Sequence, residues 1–156
     1  MEKTIKMIEA HLALWIEMVA TMFVGEVDYY GSVQITREGR TISLKLVSET
    51  GMKLATNSLT WWAGNSANWI AHDLWIHPEL RGTGFVKIIR AWQKRVFKDM
   101  CAEHIYCTVR ADNPAGLKAA VKAGYKATGT TGHGSDGCVC FHKTTAHHAW
   151  INRPNC

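Results

Sequence analysis

The residues Arg81-Gly82-Thr83-Gly84-Phe85-Val86 combine the types that hold a phosphate. Two glycines separated by one residue let the backbone come close to a ligand. At the mouth of a helix, the free amides and the positive end of the helix dipole point at the same place. A pyrophosphate fits such a turn; without a ligand, it is a tight strand-to-helix connection. Downstream, Lys87, Arg90, Lys94 and Lys98 recur at spacings of three and four. On a helix this row faces one way, toward a 3′-phosphate, a nucleic-acid backbone or plain solvent. Trp61-Trp62, beside a Gly/Asn/Ser loop, could stack on a base, line an acceptor cleft or pack in the core. Cys138, Cys140 and His142 alternate on one strand face, where they point side by side and do not close a tetrahedral site, so no metal is expected.

The elements that must carry these residues follow from periodicity. Ile5, Ile8, Leu12, Trp15, Ile16, Val19, Met22 and Phe23 form the stripe of an amphipathic helix spanning residues 1–25. Alternation over Val33 to Ile35 and Thr41 to Val47, with Glu38-Gly39 between, gives a hairpin. A strand over Met52 to Trp62, a loop over Ala63 to Asn68 and a strand over Trp69 to Ile76 come next. From Phe85 the apolar period lengthens through Ile88, Ile89, Trp92, Val96 and Met100, which predicts a helix. His104 to Val109 alternates as a strand, and Asn113-Pro114 caps a short helix that Gly124 ends. Tyr125 to Thr128 and Cys138 to Lys143 read as the last strands, around a glycine-rich loop from Gly129 to Gly137. The order is mixed α/β, and 156 residues suit one domain over 1–156.

Apolar residues make up 47% and charged residues 20%, which excludes a disordered or fibrous chain. The net charge of +5 favours acidic ligands. Lys6, Glu9, His11 and Glu17 interrupt the first apolar stretch, so neither a signal peptide nor a membrane span is expected, and a cytoplasmic location follows. Five cysteines without a secretory signal are expected to be reduced thiols.

The turn at Arg81 to Val86, directly after a strand and opening a long helix, resembles the cofactor motif of the GCN5-related N-acetyltransferases (GNAT). So does the later Asn113 to Tyr125 run of Asn, short helix, Gly and aromatic residue. The likeness covers about residues 69–143, the implied cofactor-binding core, and the N-terminal third matches in element order only. It implies a mixed, mostly antiparallel sheet flanked by helices. It also implies transfer of an acetyl group from acetyl-CoA to a primary amine, by direct attack without a covalent enzyme intermediate. Two departures stand out: Val86 where the family prefers Gly or Ala, and Ala120 where many members carry the tyrosine that protonates the leaving thiolate.

On this resemblance, cofactor contacts fall to Leu74, Trp75, Ile76, Arg81, Gly82, Thr83, Gly84, Phe85, Val86, Lys87 and Asn113. A neutral amine is required, and imidazole, with an ordinary pKa of about 6.5, suits a base at neutral pH. His72 shares a strand side with Leu74 and Ile76 and is the first choice, with Asp73 and His77 in reserve; a partly buried histidine bonded to the backbone is the alternative. Trp61, Trp62, His133 and Asp136 are candidates for the acceptor side. The acceptor's class (protein, small molecule or nucleobase) and a homodimer both stay open. Two other readings compete: a catalytically inactive GNAT-fold binding or structural protein, and a nucleic-acid modifier or binder.

Overall fold

The computed structural model describes residues 31–48, 50–82, 86–129 and 137–145. The helix expected over residues 1–25, the turn residues Thr83, Gly84 and Phe85, and the loop residues His133 and Asp136 lie outside them. Seven strands form one sheet in the order β1-β2-β3-β4-β5-β7-β6. They are β1 (Gly31–Glu38), β2 (Thr41–Ser48), β3 (Lys53–Trp62), β4 (Asn65–Ile76), β5 (His104–Arg110), β6 (Lys126–Gly129) and β7 (Cys138–Thr144). Every neighbouring pair is antiparallel except β4 and β5, which are parallel. A parallel pair needs a crossover, and helix α1 (Val86–Asp99) supplies it; α2 (Pro114–Lys122) follows β5.

Within the described residues the expected elements recur, with one correction. Asn65 to Asn68 are not loop but the start of β4, because Gly64 turns the chain at φ 74 and Asn65 already pairs with Trp62. A two-residue hairpin turn of this kind needs positive φ, which glycine takes without strain.

Alternation divides the sheet into two faces. Ile42, Leu44 and Leu46 of β2, Leu59 and Trp61 of β3, Trp69 and Ala71 of β4, and Ile105 and Phe141 farther along form one buried surface. Helix α1 adds Ile88, Ile89, Trp92, Val96 and Phe97 to the same core. Burial of this apolar area is the main stabilising term for the domain. On the opposite face hydroxyls pair across strands, Thr41 with Thr60 at 2.7 Å and Ser43 with Ser58 at 2.9 Å.

Asn113 caps α2 as expected, its Oδ1 accepting from the Gly116 amide at 3.0 Å. A Cβ on Gly116 would lie 2.6 Å from Asn113 Nδ2 and 2.8 Å from Val109 Cγ1. Gly to Ala in a helix interior usually stabilises. Here Gly116→Ala is expected to destabilise by about 1–2 kcal/mol, because it displaces the cap. A denaturant melt showing a gain would contradict this.

Cys107 and Cys140 are free thiols, but Cys101 is disulfide-bonded. The expectation of five reduced thiols is corrected at that position. It rested on the compartment, whereas a disulfide depends on two sulfurs meeting in space, which the count does not show. No described helix is long and apolar enough to cross a membrane, and no group of three potential metal ligands occurs among the described residues.

Candidate active site

Strands β4 and β5 pair only over Asn68 to Ile70 and His104 to Tyr106, although both strands continue beyond. Where they have parted, their facing edges no longer satisfy each other's backbone groups. On the α1 side of the sheet lies a cavity of about 960 Å³ between α1 and α2. Among the described residues its wall carries Arg81, Lys87, Arg90, Lys94, Lys122 and Lys143 and no carboxylate. Such a one-signed, partly enclosed wall attracts a polyanion.

Gly82 enters the groove at φ 78, and Val86, the first residue of α1, lines it. Arg81 donates from Nε to the Ile76 carbonyl at 2.9 Å, which ties the turn back to the end of β4. Burial, then the nearby Arg90 charge, lowers the pKa of Lys143; its Nζ donates to the Ala123 carbonyl at 3.3 Å and sits 4.4 Å from the centre of the Tyr125 ring. Cys107 is pushed up to about 11 chiefly by burial. Such a thiol stays protonated at neutral pH and is a poor nucleophile. The groove-lining positions of α2 are Ala119 and Lys122, followed by its C-cap Ala123, while Ala120 is buried in the core.

On the other face, β4 bulges. Thr56 pairs with Trp75 and Ser58 with His72, so Asn57 opposes the two residues Asp73 and Leu74. Asp73 takes φ 53, a conformation uncommon for a side-chain-bearing residue and typical of sites where a strand is re-aimed. The bulge bends Asp73 back onto its neighbour. His72 Nδ1 lies 2.9 Å from Asp73 Oδ2, and His72 Nε2 lies 2.8 Å from Thr60 Oγ1. Because a carboxylate only accepts, Nδ1 carries the proton and Nε2 is the basic nitrogen, with the Thr60 hydroxyl donating to it. Simple alternation put Asp73 on the opposite side from His72; the bulge overrides it.

The remaining candidates separate. His77 caps the 3₁₀ turn Pro78–Leu80, its Nδ1 accepting from the Glu79 amide at 3.3 Å. Leu74 is exposed, and Trp75 stacks under the Lys53 ammonium at 4.3 Å. Lys87 lines the groove together with Arg90 and Lys94, but Lys98 does not, and neither does Asn113. Trp61 is buried in the core against Trp69, whereas Trp62 lies on the His72 face, stacked on Tyr106 at 5.1 Å, with Tyr106 in turn 4.8 Å from His142.

Three participants escape a reading of the sequence. Thr60 carries no motif, and its signal is only its place on the outward side of β3. Asn57 and Gln93 are polar residues at core positions of otherwise apolar patterns, and that mismatch is a legible signal.

No protein-family model and no curated protein matches the sequence. Solved structures do match the fold. The chain is similar to nourseothricin acetyltransferase (15% identity over 74% of this chain and 85% of that one, TM-score 0.57). It is also similar to ribosomal-protein-S5-alanine acetyltransferase from Vibrio fischeri (12%, 71% and 64%, TM-score 0.60). A third likeness is to an aminoglycoside 6′-N-acetyltransferase complexed with coenzyme A (14%, 69% and 74%, TM-score 0.55). With its splayed parallel pair, its crossover helix and these likenesses together, the chain has the fold of the GNAT acetyltransferases.

Proposed function

We propose that the protein is an acetyl-CoA-dependent N-acetyltransferase that acetylates a primary amine. The observation that carries this reading is the parting of β4 from β5 beside a groove walled, among the described residues, by six cations and no carboxylate. The residues fit the cofactor's chemistry: lysine and arginine side chains for its phosphates, and unpaired strand edge for its amide-containing arm. When bound, acetyl-CoA supplies an activated thioester.

The rest of the chemistry belongs to the chain. His72 takes a proton at Nε2 from the Thr60 hydroxyl, which in turn takes the proton of the attacking amine, and Asp73 at Nδ1 stabilises the imidazolium that results. Thr60 serves both states, donating to neutral His72 and accepting from the imidazolium while Thr41 shares its hydroxyl contact. Trp62 and Tyr106, on the same face, border the space for the acceptor. With no phenol at position 120, the departing thiolate takes its proton from water.

Isothermal calorimetry of the whole chain with acetyl-CoA is the test, and saturable binding with release of thiol on addition of amines is the expected outcome. Absence of both heat and thermal shift at millimolar acetyl-CoA would overturn the reading. It would also leave the six cations to a nucleic acid, which a titration with single- and double-stranded oligonucleotides would detect as strongly salt-dependent binding.

A further inference from the structure

Among the described residues, only two polar side chains are buried, Asn57 at 1% exposure and Gln93 at 2%. They touch each other beneath the sheet: Gln93 Nε2 donates to Asn57 Oδ1 at 2.6 Å. Neither contact ends there. Arg90 Nη1 donates to Gln93 Oε1 at 3.1 Å, and Asn57 Nδ2 donates to the His72 carbonyl at 2.9 Å. The direction of the whole chain is forced. A guanidinium can only donate, so Gln93 must present its oxygen to Arg90 and its nitrogen to Asn57. Asn57 must then present its own nitrogen to a backbone carbonyl, which can only accept. Hydrogen bonds aligned head to tail in a low-dielectric interior reinforce one another.

The two ends of this chain are the two halves of the site. Arg90 and Gln93 line the cation-walled groove, and the His72 carbonyl belongs to the first peptide of the β4 bulge. That peptide is trans, so the Asp73 N–H points opposite to the His72 C=O. The carbonyl is held on the Asn57 side, and the Asp73 amide is therefore aimed away from β3, on the side where β4 has parted from β5. Thr56 Oγ1 holds the next carbonyl, that of Asp73, at 3.3 Å.

We propose that Arg90, Gln93 and Asn57 form a positioning relay, which ties the cation-lined groove to the backbone of the β4 bulge and holds His72 and the Asp73 amide in place for acyl transfer. The catalytic part of this inference rests on the acetyltransferase reading, but the positioning part does not. The competing explanation is that the polar pair merely specifies core packing. An apolar pair of similar volume separates the two, because replacing both partners of a buried polar contact is often neutral for stability.

The test compares the ligand-free wild type with the double variant Asn57→Leu/Gln93→Met and with Gln93→Glu, which still accepts from Arg90 but cannot donate to Asn57. The backbone order parameters of the Asp73 and Leu74 amides, near the rigid value of about 0.85 in the wild type, are expected to fall below about 0.6 in both variants, with the double variant melting within a few degrees of wild type. Turnover of acetyl-CoA with an amine should fall about tenfold or more in kcat, measured at saturating acetyl-CoA. Order parameters at wild-type values in the folded variants would overturn the relay, as would full kcat in a variant that binds acetyl-CoA. If the wild type itself gives no heat with acetyl-CoA, the acetyltransferase reading fails, and the ligand-free order parameters still decide whether the relay positions the bulge.

Discussion

His72→Ala is expected to lower kcat/KM for amine acetylation by about 10²- to 10⁴-fold at pH 7 and to leave acetyl-CoA affinity unchanged. An alkylammonium acceptor with a pKa near 10 is almost wholly protonated at neutral pH, so removing its proton is the demanding step. His72 holds the one imidazole on the bulged segment of β4, with a carboxylate on one nitrogen and a hydroxyl on the other. Because free amine becomes plentiful at high pH, the loss should shrink at pH 9. Asp73→Asn should retain the hydrogen bond but not the charge, and so cause a smaller defect than His72→Ala. Equal pH–rate profiles for wild type and His72→Ala would remove His72 as the base.

Charge reversal in the groove is the second large effect. In Arg81→Glu/Lys87→Glu, two attractions for phosphate become two repulsions at the groove end formed by Gly82 and Val86. Charge-assisted contacts of this kind contribute roughly 1.5–3 kcal/mol each, so affinity for acetyl-CoA should fall by at least about 10²-fold. The wild-type affinity should weaken as salt is raised, and that slope should be reduced in the variant. Arg81 also fastens the turn to the Ile76 carbonyl, so a melt of the variant must accompany the titration. Undiminished affinity in a folded variant would place the phosphates elsewhere.

In the proposed mechanism, the parallel pair and the bulge account for the chemistry in a way the helices do not. A regular β4 would send Asp73 to the face opposite His72 and leave the imidazole with a single partner. The extra residue against Asn57 brings the carboxylate round, and it does so at the strand whose other edge has been released from β5.

Among the described residues, the order of elements, the core stripes of β2 and α1, the cap at Asn113 and the positive φ of Gly82 were all legible in the residues. Each depends on local rules of period, capping or positive φ that operate over a few neighbours. The pairing of His72 with Asp73, the separation of Trp61 from Trp62 by face, the capping role of His77 and the disulfide at Cys101 were decided elsewhere. They depend on register, on one bulge and on which distant groups the sheet brings together. The row Lys87, Arg90, Lys94 could be read along the helix, but only the packing of α1 beside α2 turned it into one wall of a groove and left Lys98 outside. Asn57 and Gln93 stood in the sequence as polar residues at apolar positions. That they meet, and which way their hydrogen bonds run from Arg90 to the His72 carbonyl, only the folded chain determines, because a hydrogen bond needs its partner within about 3 Å and 36 residues separate the two.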